Sequence, residues 1–459
     1  MDIARSENSL ALLTDFYELT MAASYLKNRP NAWASFDLFI RDLPKERSFF
    51  LASGLSDVIQ FLKEFRYDEE SISYLASLNV FSIDFLEFLR RLKFSGDVWA
   101  MPEGTVFFPN EPVIRVVAPL IEAQLLESYL LNTINLQTTI ATKAARITVT
   151  SKDKSAFDFS LRRTHGSEAA LKVARASYIA GFKGTSNVLA GKIYGIPIVG
   201  TMAHSYVMAF KNELESFRAF VETFANYSTL LVDTYDTQKG IENAITVARE
   251  LEQKDRRLTA IRLDSGDLIR LSVAARYQLD KAGLSYVKIF ASGNLDEYVI
   301  KNLLSHGAPI DSFGVGTKMG TSADCPYCDV IYKLNEITDL NGDFIPTMKL
   351  SKGKVTYPGR KQVFRVVDRK RIFQKDTIGL EHENLGGEPL LTKIIEKGKL
   401  IYREPSLKGI RDFAAENLSK LPSYLKGLRR MRSYPVQISP QLKALTQRVS
   451  QKIRRRLKY

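Results

Sequence analysis

The sequence predicts an α/β protein: an irregular, TIM-like β/α barrel accompanied by a mixed α+β domain formed by the segments before and after it. Three observations predict this. Seven short apolar runs (SAFDFS, GTSNVLAG, IPIVGTMA, TLLVDT, TAIRLDS, VKIFAS and SFGVGT) recur between helix-like segments. Strands alternating with helices make parallel units, and this many suggest closure into a barrel. The flanking segments lack the alternation, and a composition 45% hydrophobic and 25% charged is that of an ordinary globular chain. An open doubly wound sheet is the architecture that the same alternation also allows.

LLTDFYELTMAASYL reads as the first helix, entered at Thr14 or Asp15, both good N-cap types. WASFDLFIRDLP alternates like a strand, and VWAMPEGTVFFPNEPVIRVVAP reads as short strands punctuated by Pro and Gly. From Leu120 to about Lys143 the apolar period is helical. The barrel runs follow. After VIYKLNEI the pattern becomes turns and hairpins, with a good hairpin turn at Asn341–Gly342. The expected division is an N-terminal α+β domain at 1–130, the barrel at 131–337, and a β-hairpin segment with a basic helical tail at 338–459.

No run reaches the roughly 18–20 apolar residues of a membrane span. The first 20 residues lack the unbroken apolar stretch of a signal peptide. A cytoplasmic protein with no membrane partner is expected. The net charge of +14 raises the question of nucleic acid, but it is localised. From Arg403 to Tyr459 there are 15 Lys/Arg against 3 Asp/Glu, which leaves about +2 on the other 402 residues. A solvated, partly helical tail explains this better than a nucleic-acid surface. The cysteines, Cys325 and Cys328, have no histidine beside them, so a structural zinc site is not expected.

Polar and glycine residues gather at the C-terminal ends of the barrel runs: Arg162 and Arg163, Thr201 and His204, Asp233, Arg262 to Asp267, Ser292 and Gly293, and Gly314 to Thr317. In a β/α barrel that edge holds the active site. Any one of these residues alone could be a helix cap, as Asp264 or Ser265 would be. ASGN (Ala291–Asn294) and GVGT (Gly314–Thr317) offer small residues where backbone N–H groups can approach a phosphate. His204 in GTMAHS is a candidate acid, base or nucleophile, with His165 as its rival on the same edge.

LLTDFYELTM, DFSLRR, GTSNVLAGKIYGIP, GTMAHS, RLDSGD, GVGT, YKL, KLSKGKVTYPGRKQVFR and YPVQISPQL stand in this order over nearly the whole chain. Together they resemble the nicotinate phosphoribosyltransferases. That resemblance implies transfer of phosphoribose from phosphoribosyl pyrophosphate to nicotinate, in NAD salvage. It implies coupling to ATP with Mg²⁺, through phosphorylation of His204. It implies that Arg262 and Thr201 hold nicotinate, and that Asp264 and Asp267 face the ribose or its metal, Asp264 acting in catalysis. Arg162, Ser292, Gly293, Gly314, Gly316 and Thr317 would bind phosphate. Phe159 and Tyr17 would sandwich the pyridine ring, Tyr17 coming from the neighbouring subunit of a homodimer with shared active sites.

Ser186 in GTSN stands where nicotinamide-using relatives have an aspartate, so the acid is the expected substrate. Ser160 and the Thr164–His165 pair depart from the family's usual residues. A nicotinamide or quinolinate phosphoribosyltransferase is the nearest alternative, and a non-catalytic anion- or RNA-binding barrel the alternative from another class.

Overall fold

A computed structural model describes residues 10–224, 227–350 and 356–457. The start of the chain, Ser351–Val355 of the KLSKGKVTYPGRKQVFR motif, and the last two residues of the tail lie outside them. The chain divides into two compact units, residues 140–326 and residues 1–139 with 327–459.

Unit 140–326 is built on a parallel sheet of five strands: β1 (Ser155–Asp158), β2 (Thr229–Leu231), β3 (Ala260–Leu263), β4 (Lys288–Ala291) and β5 (Ser312–Val315). They lie in the order β1-β5-β4-β3-β2, every pair parallel. Leu230, Leu231, Ile261, Leu263, Ile289, Ala291, Phe313 and Val315 are all buried. Consecutive buried positions mean both faces of the sheet are covered, as parallel sheets require.

Five of the seven expected runs are therefore strands; the other two are reduced to single bridges, Asp158 with Thr185 and Thr185 with Ile198. The cause is local. Asn187 accepts the Ala190 N–H and starts the helix Val188–Tyr194 at once, so the GTSN run has no length left for a strand. Pro197 has no N–H to give a ladder. A closed ring of strands is not traced among the described residues; the unit is a mixed α/β body with a parallel sheet.

Helices return between the strands, and their caps are legible. Asn212, Asp236, Asp267 and Asp296 accept backbone N–H groups at the starts of Glu213–Thr223, Thr237–Glu252, Leu268–Lys281 and Glu297–Ser305.

In the second unit the first helix is Phe16–Asn28 after Asp15, and the 120–143 helix becomes two, Leu120–Leu125 and Glu127–Ser151. Strand Trp33–Ile40 pairs antiparallel with Pro112–Pro119 on one side and with Val330–Thr338 on the other. Residues 330–337, which the sequence reading assigned to the barrel segment, thus pair in this unit's sheet. Thr338 and Phe344 close the expected hairpin, with Gly342 at φ 90°.

The basic tail is more than a solvated helix. Val436–Ile438 adds in parallel to Phe373–Leu380, Tyr434 and Leu442 are buried, and Ser439 Oγ donates to Glu383 at 2.7 Å. Cys325 and Cys328 are buried and not joined in a disulfide. No helix among the described residues is long and apolar enough to cross a membrane.

Candidate active site

The C-terminal ends of β3 and β4, with Thr201 and Met202, converge on one guanidinium. Arg262, the third residue of β3, donates Nε–H to Ser292 Oγ at 2.8 Å and Nη1–H to Thr201 Oγ1 at 2.7 Å. It also donates to the Met202 carbonyl at 3.3 Å and from Nη2 to Asp264 Oδ1 at 2.6 Å. Only the planar five-donor fork of arginine can hold three loops in this way. Four of its donors are used in these bonds, which leaves one N–H for a ligand.

Asp264 is fixed from three sides. Ser292 Oγ donates to its Oδ1 at 2.6 Å, Arg262 grips the same oxygen, and its backbone N–H donates to Asp233 Oδ2 at 2.9 Å. Burial pushes the Asp264 pKa up, but the Ser292 and Arg262 hydrogen bonds and the charges of Arg262 and His204 outweigh it. The carboxyl is held below its ordinary value and is ionised at neutral pH. Asp233 also accepts from Ser265 Oγ at 2.7 Å, while its Oδ1 is buried without a partner.

His204 opens the short helix His204–Met208. Its Nδ1 lies 3.1 Å from Thr234 Oγ1 and its Nε2 3.9 Å from Asp264 Oδ2, with the ring about half exposed. The imidazole is held in orientation yet open to solvent, as a nucleophile must be. His165 is exposed, after the turn Leu161–Arg163.

Phe159 follows β1 and stacks on Phe290 at 5.5 Å, with the Arg262 guanidinium 5.7 Å from its ring centroid. Gly314 makes room for it: a Cβ there would lie 2.8 Å from both rings. Ser160, the departure from the family pattern, fits because Gly320 faces it. A Cβ on Gly320 would sit 2.3 Å from that of Ser160.

The two small-residue loops sit after β4 and β5. Gly293 has φ 91° and abuts the Asp264 carbonyl so closely that a Cβ would lie 1.8 Å from its oxygen. Gly316 precedes the short helix Thr317–Gly320, with Thr317 exposed. Lys318 Nζ reaches back to Asp296 Oδ2 at 2.8 Å, tying one loop to the other. Arg162 and Arg163 are exposed, and among the described residues they carry no ion pair. Asp267 is exposed and caps its helix through Ile269 and Arg270. Tyr17 belongs to the other unit, where it is half exposed on the helix Phe16–Asn28.

Thr201, His204, Arg262, Asp264, Ser292, Gly293 and Phe159 are therefore one connected cluster. Sequence reasoning left Thr234 unmentioned and gave Asp233 no role; the only signal was their position in VDTYD, directly after β2. No group of three or more His, Cys, Asp or Glu among the described residues could by itself hold a metal.

Three family models match in sequence: the nicotinate phosphoribosyltransferase N-terminal domain over residues 12–135, the nicotinate phosphoribosyltransferase family over 155–352, and the nicotinate phosphoribosyltransferase C-terminal domain over 384–446. A nicotinate phosphoribosyltransferase of Mycobacterium tuberculosis is 48% identical, over 94% of this chain and 92% of its own. That of Bacillus subtilis is 39% identical, over 94% of each. The crystal structure of human nicotinic acid phosphoribosyltransferase superposes with a TM-score of 0.83 at 30% identity, covering 95% of this chain and 99% of that one. A nicotinate-nucleotide pyrophosphorylase from Pyrococcus furiosus gives 0.73 at 27% identity, covering 92% and 98%.

Proposed function

We propose a residue-level mechanism for this chain, which belongs to the nicotinate phosphoribosyltransferase family and is a nicotinate phosphoribosyltransferase of NAD salvage. The observation that carries it is the Arg262 hub. Its remaining N–H binds the carboxylate of nicotinate, the Thr201 hydroxyl joins by turning from the Met202 carbonyl, to which it donates at 3.2 Å, and Phe159 lies against the ring. Ser186, in place of an acid, leaves that carboxylate unopposed, which favours nicotinate over nicotinamide.

In the transfer, the C1′–O bond of the donor breaks with its electron pair leaving on pyrophosphate. The pyridine nitrogen supplies the pair for the new C1′–N bond. Positive charge developing on the ribose faces Asp264, which the hub keeps ionised and fixed. A preorganised carboxylate of this kind stabilises the transition state without reorganising. Arg162 and the loops at Ser292–Gly293 and Gly314–Thr317 take the phosphates, the exposed, unpaired Arg162 being the clearest support. Asp267 faces the ribose edge from its cap position.

ATP coupling runs through His204. The ring nitrogen forms an N–P bond as the Pγ–O bond to ADP breaks, and water later releases the phosphate. Mg²⁺ would be held through one or two carboxylates and would offset charge on the phosphates. Asp233 Oδ1, buried and without a partner, and Asp264 Oδ2, 3.9 Å from His204 Nε2, are the carboxylate oxygens that could hold it. We further read the catalytic domain, expected at 131–337, as the narrower unit 140–326, with its sheet closing as an irregular barrel. The Arg262 and His204 contacts, which tie segment 201–204 to β3 and to Thr234 just beyond β2, support that closure. A homodimer in which the partner subunit's Tyr17 covers the ring is the assembly the family resemblance implies, and a cytoplasmic location goes with it.

The test is His204→Ala. It abolishes ATP hydrolysis and the stimulation by ATP, while circular dichroism stays that of the native fold. Undiminished ATP coupling in this variant sinks the role of His204.

A further inference from the structure

We propose that Asp296 and Lys318 are positioning residues for the phosphoribosyl donor, their ion pair setting the distance between the two phosphate loops. This rests on the reading above that the loops at Ser292–Gly293 and Gly314–Thr317 take the donor's phosphates.

The two loops leave neighbouring strands, β4 and β5, which pair in parallel. Strand pairing fixes where each loop starts but not how far apart the loops stand beyond it. Two ties do that. Asp296, three residues beyond Gly293, is buried and uses both carboxylate oxygens. Oδ1 accepts the Val299 N–H at 2.8 Å and caps the helix Glu297–Ser305. Oδ2 accepts from Lys318 Nζ at 2.8 Å, and Lys318 directly follows Thr317.

The second tie is deeper. Glu297, wholly buried, pairs with Lys143 Nζ at 2.6 Å and Arg146 Nε at 2.9 Å, both reaching from the helix Glu127–Ser151. Lys143 Nζ also meets Asp324 Oδ1 at 2.7 Å. The segment 318–324 after β5 is thus held at both ends against the start of the helix after β4. Asp296 holds it at Lys318, and Lys143 links its Asp324 to Glu297.

The two ties divide the work. Removing one partner from the deep cluster strands a buried charge, so that cluster carries stability. The Lys318 side chain is 31% exposed, and an ion pair open to water adds little to stability. What it adds is geometry. A phosphate held by both loops needs them at one separation, and a tie made in advance removes that ordering cost from binding. The bonds of Arg262 go to Ser292, Thr201, Met202 and Asp264 and to neither of these residues, so the effect falls on the donor and not on nicotinate.

The experiment measures kcat, Tm and KM for phosphoribosyl pyrophosphate and for nicotinate in the full chain. The variants are Lys318→Met, Lys318→Arg, Asp296→Asn and the double variant of Lys318→Met with Asp296→Asn, and Thr317→Val gauges the loop itself. Asparagine caps a helix as well as aspartate does, so Asp296→Asn removes the tie and keeps the helix start. We expect the donor KM to rise about tenfold in Lys318→Met and in Asp296→Asn and no further in the double variant, with kcat and the nicotinate KM within about twofold of wild type and Tm unchanged. Lys318→Arg keeps the charge and should bring the donor KM back to within about threefold of wild type. A donor KM within about twofold of wild type in both single variants overturns the proposal, as do effects that multiply in the double variant. A lower donor KM in Asp296→Asn also overturns it, because Lys318 would then bind phosphate itself with Asp296 as a competitor. Asp296→Ser, which also caps, takes the place of Asp296→Asn should that variant not fold. A wild-type donor KM in Thr317→Val refutes the phosphate reading of the loops, and the proposal falls with it. A raised KM in Thr317→Val beside unchanged values in the other variants removes the proposal alone.

Discussion

Replacing Gly293 with alanine perturbs the site at its tightest backbone approach. The residue has φ 91°, and the new Cβ would lie 1.8 Å from the Asp264 carbonyl oxygen and 2.9 Å from its carbon. Left-handed backbone costs a non-glycine residue about 1–2 kcal/mol. The contact is the larger effect, because the obstacle is backbone and cannot rotate aside. Restoring van der Waals separation requires the two segments to part by about 1.6 Å. Asp264 holds Arg262 and Ser292 at 2.6 Å each, and a shift of even half that size breaks both hydrogen bonds. Misplacing a catalytic group by about 1 Å costs on the order of 10²-fold in rate. We therefore expect kcat with nicotinate and phosphoribosyl pyrophosphate to fall about 100-fold or more, with a lower Tm. Gly307→Ala is the control: its φ of 71° carries the same kind of strain, but a Cβ there meets nothing within 4 Å. It should lose some stability and keep its kcat. A Gly293→Ala enzyme within threefold of wild type, with unchanged Tm, refutes the argument that this backbone contact sets the position of Asp264.

Arg262→Lys keeps the charge but cannot hold Ser292, Thr201, Met202 and Asp264 together. Charge-assisted bonds are worth roughly 1.5–3 kcal/mol each and are not additive here, so kcat/KM for nicotinate should drop about 100-fold. A lysine enzyme within threefold of wild type contradicts the hub. In the other unit, Asp376 receives Arg365 Nε at 2.9 Å and the Tyr434 hydroxyl at 3.1 Å, while Arg365 also donates to the Val106 carbonyl at 2.7 Å. Asp376→Ala leaves a buried guanidinium without its counter-ion, and denaturant unfolding should show a loss of about 3–5 kcal/mol. A loss below roughly 1 kcal/mol, the worth of a surface pair, means that the ion pair does not hold this sheet.

The parallel strands were legible because each is a short run of apolar and β-branched residues ended by a polar or glycine residue, as in TLLVDT and TAIRLDS. Two further runs of the same look became single bridges. Asn187 and Pro197 decided that outcome, and both are visible in the sequence once cap and proline effects are weighed against the apolar run. Less legible was the pairing of Trp33–Ile40 with Val330–Thr338, nearly 300 residues apart. Neither strand carries a local mark of its partner, and only the shared buried face selects it. The tail shows the same limit: its charge is obvious in the sequence, but the docking of Val436–Ile438 is not. Within the site, Arg262, Thr201, Asp264 and Ser292 were readable from their positions at or just beyond the ends of apolar runs. Thr234 was not, since a threonine in a turn is ordinary until its neighbours are known.

The measurement closest to the central claim is a turnover matrix of nicotinate, nicotinamide and quinolinate, each with phosphoribosyl pyrophosphate, with and without Mg·ATP, and with product masses determined. Nicotinate should be converted to nicotinate mononucleotide, faster with ATP and with release of ADP, and the other two pyridines should lag far behind. Preferential turnover of nicotinamide, or CO₂ released from quinolinate, contradicts the substrate reading built on Arg262 and Ser186. A nicotinate rate indifferent to ATP contradicts the coupling through His204.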